Sequence, residues 1–321
     1  MRQMRWMTAQ LVAGTVAGTV ALGQSTGITQ RHEHGYVQVG DRFYLLGGRR
    51  IQPVDIFDPD KGIWTRGAPP PVEIHHFQAV PFENKIYLLG AMTGRFPTEP
   101  PLSNVHIYDP AADTWTVGPE VPAARRRGGA GAVLHNGEII LIGGITNGHS
   151  DGHVTWVDAF SPRTGQWRRL PDAPRARDHF HAAKIGNKIY AAAGRRSSYA
   201  TGQTFELTVA EVDVFDLDTN RWSTLPSSGN LPTPRAGAAT AVVGGRLLVI
   251  GGESAQPLAH ADVESFDPTT GQWTALAPLS MGRHATQAVL HDGRIYLASG
   301  SRTRGATEVD TQEIYTPRPS M

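Results

Sequence analysis

The 321-residue sequence contains no cysteine, which excludes disulfide bonds and thiolate metal sites. It also lacks an excess of charge of either sign, because 30 Lys and Arg residues stand against 29 Asp and Glu residues. No basic run interleaved with aromatic residues occurs, so nothing predicts nucleic-acid binding. No segment beyond the N-terminus approaches the length of a membrane-spanning helix, and we expect no membrane span.

The most prominent feature of the sequence is an internal repeat. Six times a short apolar run ends in a pair of glycines or a near copy of one, at Gly47-Gly48, Gly90-Ala91, Gly143-Gly144, Ala193-Gly194, Gly251-Gly252 and Ser299-Gly300. The pairs recur about every fifty residues, a period that is typical of propellers, solenoids and arrays.

Each repeat contains the signals of a four-stranded antiparallel sheet. Before every glycine pair lies a predicted two-residue hairpin turn with positive φ at both residues, at Gly40-Asp41, Glu83-Asn84, Asn136-Gly137, Gly186-Asn187, Gly244-Gly245 and Asp292-Gly293. A third strand ends in an aromatic residue, as in residues 54–58. A tryptophan then marks the fourth strand in five repeats, at Trp64, Trp115, Trp167, Trp222 and Trp273.

This combination resembles the kelch family over roughly residues 31–316. The resemblance implies an all-β fold, a six-bladed β-propeller of kelch repeats with four antiparallel strands per blade and tryptophans packed between blades. The blades would span roughly residues 31–73, 74–124, 125–174, 175–232, 233–280 and 281–316. The last repeat lacks a fourth strand, and we expect an N-terminal strand at about residues 25–30 to complete it. The absence of cysteine excludes the Cys–Tyr copper centre of galactose oxidase, another propeller.

The N-terminus has the features of a secretory signal. Arg2 and Arg5 precede an apolar stretch from Leu11 to Leu22, and small residues before Gln24 suit cleavage. We therefore expect residues 1–23 to be a signal peptide, residues 24–321 to form the propeller, and the protein to be exported, periplasmic or secreted. The alternative is a disordered or strand-forming N-terminus of a cytoplasmic protein.

Arginine recurs at the start of the innermost strand of five blades, seventeen residues before the second member of each glycine pair. In one interpretation these arginines are structural and donate to carbonyls and acids around the central channel. In the other, the propeller face at the mouth of this channel binds an anion through planar guanidinium donors. The predicted ligand-binding residues are Arg31, His75, His76, Arg127, Arg177, His179, Arg195, Arg235, Glu253, Arg283 and His284.

The thirteen histidines include close pairs such as His75/His76, His149/His153 and His179/His181. Residues two apart on a strand share a face, so His179 and His181 could chelate a metal ion. The Glu-x3-Asp-x3-His iron motif of nitrile-specifier proteins is missing, and ordinary hydrogen bonding is the expected role. We expect no metal site and no cofactor.

The leading hypothesis is a monomeric, exported binding module for an anionic carbohydrate or a partner protein. The alternative is an enzyme acting on acidic sugars, of epimerase, mutarotase or lyase type, as the resemblance to kelch-like sialic-acid epimerases and propeller lyases suggests. Its acid or base would come from Glu253, His179 or His284. A pure scaffold is the third hypothesis.

Overall fold

The structure, a computed structural model, describes residues 27–318. Antiparallel strands form six sheets, each of which is one blade of a propeller. The described residues contain no α-helix but three short 3₁₀ helices, at Ala123–Arg125, Tyr199–Thr201 and Ser227–Gly229. The predicted all-β, six-bladed propeller is confirmed.

Blades 1 to 3 begin with the innermost strand. Blade 1 consists of β1 (His34–Val39), β2 (Arg42–Gly47), β3 (Val54–Asp58) and β4 (Ile63–Gly67). Blade 2 consists of β5 (Val80–Phe82), β6 (Lys85–Leu88), β7 (Asn104–Asp109) and β8 (Thr114–Glu120). Blade 3 consists of β9 (Gly131–His135), β10 (Glu138–Ile142), β13 (Val157–Phe160) and β14 (Trp167–Leu170), with a small hairpin of β11 (Ile145–Asn147) and β12 (Asp151–His153) above it.

Blades 4 to 6 follow the same order. Blade 4 consists of β15 (Ala183–Ile185), β16 (Lys188–Ala191), β17 (Asp213–Asp216) and β18 (Arg221–Thr224). Blade 5 consists of β19 (Ala239–Val243), β20 (Arg246–Ile250), β21 (Val263–Asp267) and β22 (Gln272–Ala275). Blade 6 consists of β23 (Ala288–His291), β24 (Arg294–Ala298) and β25 (Gln312–Tyr315).

The hairpin turns fall where the sequence predicts them, but they are of two kinds. Both central residues have positive φ in four turns, those at Glu83-Asn84, Asn136-Gly137, Gly244-Gly245 and Asp292-Gly293. In the other two turns only the first residue, Gly40 or Gly186, has positive φ. A glycine at the first position alone is the pattern of a type II′ turn, which also matches strand twist.

The hydrophobic core is divided into six clusters, one between each pair of adjacent blades. The sixth cluster joins Tyr36 and Phe43 of blade 1 to Val289 and Tyr296 of blade 6. The innermost strands contact one another around a complete circle, and β23 contacts β1. Packing between the first and last blades therefore closes the ring.

The predicted closing strand is not found in the part of the N-terminal segment that the structure describes. Residues 25 and 26 lie outside the described residues, and residues 27–30 form no strand with β25. The backbone N–H of Thr29 instead donates to the Asp55 carboxylate of blade 1 at 2.8 Å. Ile28 packs into the cluster between blades 6 and 1.

A second ring of contacts closes around the axis. Two residues after each position of the arginine series, the backbone is left-handed, with φ between 51° and 62° at Glu33, His76, Gly129, His179, Gly237 and Ala285. Each of these residues donates its N–H to the carbonyl of the equivalent residue in the preceding blade, and Glu33 donates to Ala285. The six distances lie between 2.6 and 3.0 Å. One hydrogen bond per blade thus links all six blades in a cycle.

Candidate functional site

The five arginines of the series lie inside the blades and are between 0 and 3% exposed. Each donates to the carbonyl of the first residue of its glycine pair, at 2.5 to 3.0 Å, the acceptors being Gly47, Gly143, Ala193, Gly251 and Ser299. These carbonyls lie at or just after the end of the second strand, where the guanidinium supplies a hydrogen-bond donor. Burial lowers the pKa of Arg31 and Arg127 to about 10, and both remain charged at neutral pH.

Each arginine also pairs with one buried acid, a partner that sequence reasoning missed. The ion pairs are Arg31–Asp55, Arg127–Asp158, Arg177–Asp213, Arg235–Glu264 and Arg283–Glu313. A signal was available, because every acid stands two residues before the aromatic of the third strand. In blade 2 both members are replaced, by Ile74 and His106.

Ligand binding by the five arginines Arg31, Arg127, Arg177, Arg235 and Arg283 therefore stays a prediction. Most of their donors bond carbonyls and acids within the same blade, the exceptions being the buried Nε atoms of Arg177 and Arg283, and none of the five lines the three cavities described here. Of the two interpretations that the sequence left open, the geometry supports the structural one.

A cavity of about 530 Å³ opens at the mouth of the channel. It is lined by His32, Glu33, Arg49, Phe96, His149, Arg195, Phe205, Glu253, Arg304, Gly305 and Ala306. Most of these residues belong to the loops that follow the glycine pairs. Such loops are positioned by the rigid blades, and this is the usual place for a binding site on a repeat scaffold. The size falls within the range of small-molecule sites.

Arg195 and Glu253 form the buried wall of this cavity. The Arg195 guanidinium lies 2.5 Å from Glu253 Oε1, donates to Ser197 Oγ at 2.8 Å, and sits 5.0 Å above the centre of the Phe205 ring. Burial alone would raise the pKa of Glu253, but the charges of His284 and Arg195 lower it below its ordinary value. Glu253 is therefore a carboxylate at neutral pH.

The floor of the cavity meets the channel. Glu33 lines both spaces, and its Oε1 lies 3.3 Å from His76 Nε2. His284 Nε2 lies 3.4 Å from Glu253 Oε2 and donates to the Thr303 carbonyl at 2.8 Å. The predicted residues Arg195, Glu253 and His284 are thus brought together.

Three more of the predicted residues lie next to His149, below Arg195, Glu253 and His284. They are His75, His76 and His179. His179 Nε2 is 2.9 Å from His149 Nε2, and the His75 and His76 Nδ1 atoms are 2.5 Å apart. Chelation by His179 and His181, the alternative considered from their spacing, is not favoured by the geometry. The backbone at His179 is left-handed, so the alternation of a strand does not hold there.

Several arginines on the loops of this face form no ion pair with an acid among residues 27–318, and one of them, Arg304, lines the cavity. They are exposed and lie on the loops after the glycine pairs, at Arg95, Arg196, Arg302 and Arg304. Arg304 donates to the Ala255 carbonyl and lies 5.7 Å from the Phe205 ring centre. Positive charge that the blades do not neutralise is therefore concentrated on this face.

Exposed apolar side chains lie on the same loops. Ile51, Phe96, Tyr199 and Leu258 are each between 46 and 65% exposed. Phe96 contacts Tyr199 edge-on, with ring centres 5.2 Å apart. The ligand-binding residues predicted from the sequence include none of these apolar residues and do not include the cavity residue Phe205, since loop residues follow no repeat spacing. Their position after a glycine pair was the one available signal.

Comparison with known families agrees with this architecture. The family model KLHDC2/KLHL20/DRC7 Kelch-repeats domain matches residues 79–300, more than half of the chain. The chain belongs to the kelch-repeat family. Within residues 27–318 there is no helix with the length and apolar character needed to span a membrane.

Individual kelch proteins are similar over most of the chain. Kelch-like protein terF of Aspergillus terreus is 29% identical over 306 residues, which cover 89% of this chain and 64% of terF. Human Kelch-like protein 23 is 26% identical over 278 residues, which cover 85% of this chain and 46% of that protein. The chain thus spans less than two thirds of these relatives.

Among solved structures, that of YjhT has the same fold. The TM-score is 0.76 over 91% of this chain and 97% of YjhT, with 16% sequence identity. At this identity the likeness concerns the fold alone. Kelch propellers commonly serve as protein-interaction modules, and this is the function class that family membership gives.

Proposed function

We propose that the propeller binds a small anionic ligand, of the size and kind of an acidic sugar, in the cavity at the channel mouth. The observation that carries the proposal is the contrast between two sets of arginines. The buried series is neutralised blade by blade, whereas the rim arginines have no acidic partner among the described residues. Converging unpaired guanidinium groups above a cavity attract anions.

The cavity also has surfaces suited to a sugar ring. Phe205 and Phe96 supply apolar faces, while Glu33, Glu253 and His149 supply polar groups that can bond hydroxyls. Arg304 is placed to meet the ligand's carboxylate, because its side chain is exposed and donates to a neutral carbonyl, that of Ala255. Guanidinium and carboxylate match as bidentate partners.

Titration calorimetry with matched sugars tests the proposal. We expect glucuronate or galacturonate to bind more tightly than glucose or galactose, and binding to weaken as salt rises. Arg304→Ala should weaken acid-sugar binding by about ten- to a hundredfold, since one charge-assisted bond contributes roughly 1.5–3 kcal/mol. The control is Arg294→Ala, which removes an exposed arginine at the start of β24 and should bind as the wild type does.

Two results would count against the ligand proposal. One is the failure of uronates and sulfated oligosaccharides to bind at all, and the other is an Arg304→Ala variant that binds like Arg294→Ala. The exposed apolar residues of the rim would then favour a protein partner, in line with the general role of kelch propellers.

A second candidate function is isomerisation of an acidic sugar. Glu33, Glu253 and His284 each bring one ligand-capable atom within 4.8 Å of the others at the cavity floor. A carboxylate and an imidazole at this separation can accept and return a proton. Proton NMR in D₂O decides between the functions, since turnover would exchange a ring proton or interconvert anomers faster than in buffer. Binding without such exchange favours the module.

Export is part of the proposal and rests on Arg2, Arg5 and the apolar stretch from Leu11 to Leu22, which lie outside the described residues. Mass spectrometry of the protein made in its source cell should show an N-terminus near Gln24. An intact Met1 in the cytoplasmic fraction would contradict it. The monomeric state also stays a prediction, for which light scattering is the test.

A further inference from the structure

Three histidines from three different blades meet at the axis of the propeller. The left-handed backbone at His76 and His179 places both residues in the ring of axial hydrogen bonds. His149 comes from the turn between β11 and β12 and reaches the same point. The three ring centres lie 4.6 to 4.9 Å apart, and all three side chains are at least 96% buried.

The hydrogen bonds of His149 and His179 fix their tautomers. The Nδ1 atom of His149 contacts the Glu99 carboxylate, and that of His179 contacts the Asp178 carboxylate. Because an ionised carboxylate only accepts hydrogen bonds, both Nδ1 atoms are the donors. In the neutral form of each ring, Nε2 is therefore a bare lone pair. These two Nε2 atoms face each other at 2.9 Å.

A chain of hydrogen bonds fixes the third tautomer. His75 Nε2 donates to the Gly94 carbonyl at 3.1 Å, which leaves His75 Nδ1 as an acceptor. The His76 Nδ1 atom, 2.5 Å away, must then be the donor. His76 Nε2 is thus a lone pair as well. It is buried, has no hydrogen-bond partner within the described structure, and lies 3.3 Å from Glu33 Oε1.

Three nitrogen lone pairs thus share one small space beside a carboxylate, and a cation is needed to hold them together. A proton on Nε2 of His149 or His179 could bridge that pair, but His76 Nε2 would then need a second proton, shared with Glu33 Oε1 at 3.3 Å. A metal ion satisfies all three at once. One nitrogen from each of the three rings lies within 4.8 Å of the corresponding nitrogens of the other two rings. Tetrahedral zinc, at about 2.0–2.1 Å from each ligand, would hold the nitrogens roughly 3.3 Å apart.

We propose that His76, His149 and His179 bind a divalent transition-metal ion of the zinc class through their Nε2 atoms. Their other ring nitrogens are held by Asp178, Glu99 and His75, which is the outer arrangement that fixes metal-ligating imidazoles. Asp178 is itself held by the Ser197 N–H at 3.0 Å, so this support is part of the fold. Glu33 is the adjacent oxygen ligand.

The position of the cluster gives the ion a function. His149 and Glu33 also line the cavity, so a fourth or fifth coordination position lies toward the space where we place the ligand. An ion there can accept an oxygen of a carboxylate or hydroxyl. The metal proposal stands on the cluster alone, and metal binding is measured without any sugar, so the two proposals can fail separately.

Metal uptake by the full chain tests the site. After treatment with a chelator and its removal, we expect the protein to bind one equivalent of zinc per chain, by calorimetry and by elemental analysis. Cobalt(II) should bind in its place and give the strong visible absorption of four-coordinate cobalt. His149→Gln and His179→Gln should each weaken binding at least a hundredfold. Asp178→Asn, which removes a positioning group, should weaken it by about ten- to a hundredfold.

His291→Gln is the matched control. His291 is a partly buried histidine at the end of β23, away from the three-histidine cluster, and its ring bonds Gln38. It should bind metal as the wild type does. His149 lies in a loop turn, so its variant should keep the wild-type circular dichroism even if the His179 variant does not fold. Absence of zinc and cobalt uptake would overturn the proposal, as a proton-bridged cluster would give this result. Uptake that is unchanged in His149→Gln would also overturn it.

Discussion

At the scale of single residues, the buried ion pairs show how each blade is built. The arginine bonds the carbonyl after the second strand, and its acid partner comes from the third strand. Such a pair is weak evidence for stability, because desolvation offsets the attraction. Removing only one member of the pair is costly, since the charge of the other member stays buried without a partner. Blade 2 lacks both charges, which agrees with this rule.

We predict a stability difference between single and paired replacements in blade 5. Arg235→Ile leaves Glu264 buried with only the Thr233 hydroxyl as a partner and should cost about 3–5 kcal/mol of unfolding free energy. Adding Glu264→His reproduces the Ile74 and His106 combination of blade 2 and should restore at least about 1 kcal/mol. Urea denaturation measures both. A cost below about 1 kcal/mol for Arg235→Ile would show that the pair is dispensable.

At the scale of elements, the tryptophan of the fourth strand ties each blade to the preceding one. Every one packs against the aromatic of its own third strand in a tilted arrangement, with ring centres 4.8 to 5.2 Å apart. Trp115, Trp222 and Trp273 also donate to a carbonyl of the preceding blade at 2.9 Å. Blade 6 has no such tryptophan, and the Tyr315 hydroxyl donates to the Ala277 carbonyl instead.

The two kinds of tryptophan provide a matched comparison. Trp115 Nε1 donates to Ala68, whereas Trp167 Nε1 has no partner in the described structure. Both side chains are half-buried. Trp115→Phe should therefore lower the unfolding free energy by about 1 kcal/mol more than Trp167→Phe, the value of one hydrogen bond. Thermal and urea unfolding measure this difference.

Trp64→Phe serves as a control for that comparison, because Trp64 Nε1 also lacks a partner among residues 27–318. It should behave like Trp167→Phe. Equal losses in all three variants would mean that stacking alone gives the tryptophans their effect.

At the scale of the whole molecule, several buried histidines lie near the propeller axis, and burial keeps them neutral in the folded state. Burial lowers the pKa of His75 and His181 to about 4, compared with about 6.5 in an unfolded chain. Between these values the unfolded chain binds protons that the folded chain does not. Stability is therefore complete above pH 6.5 and falls as pH drops toward 4.

We predict this loss in urea titrations between pH 7.5 and 5 with a chelator present. Each of the two histidines should contribute a slope approaching 1.4 kcal/mol per pH unit below pH 6. His75→Gln should lower the number of protons taken up on unfolding by about one, and the slope falls accordingly. His291→Gln should leave the slope unchanged. The lowering of the Asp178 pKa to about 2 acts mainly below pH 4, whereas glutamates with a lowered pKa, such as Glu253, add a smaller loss as the pH approaches 5. A stability that does not change from pH 7 to 5 would refute the prediction.

The sequence alone determined the repeated part of this protein, because a propeller needs the same local signals in every blade. The hairpin residues, apolar runs and tryptophans lie at fixed offsets, and each follows from backbone or packing requirements within one repeat or between neighbours. The arginine series was visible for the same reason. Its acid partners were visible too, but their distance from the arginine varies with loop length and concealed the pairing.

Only the tertiary structure decided what the axis and the loops assemble. The cavity residues come from loops of different length, so no period links Arg195, Glu253 and Arg304. The histidine cluster depends on left-handed backbone at His76 and His179, which reverses the side-chain direction that strand alternation predicts. Closure likewise could not be deduced, because contacts between blades 1 and 6 join residues more than 250 positions apart, such as Tyr36 and Gln312. These features arise where six similar units meet, and no single unit encodes them.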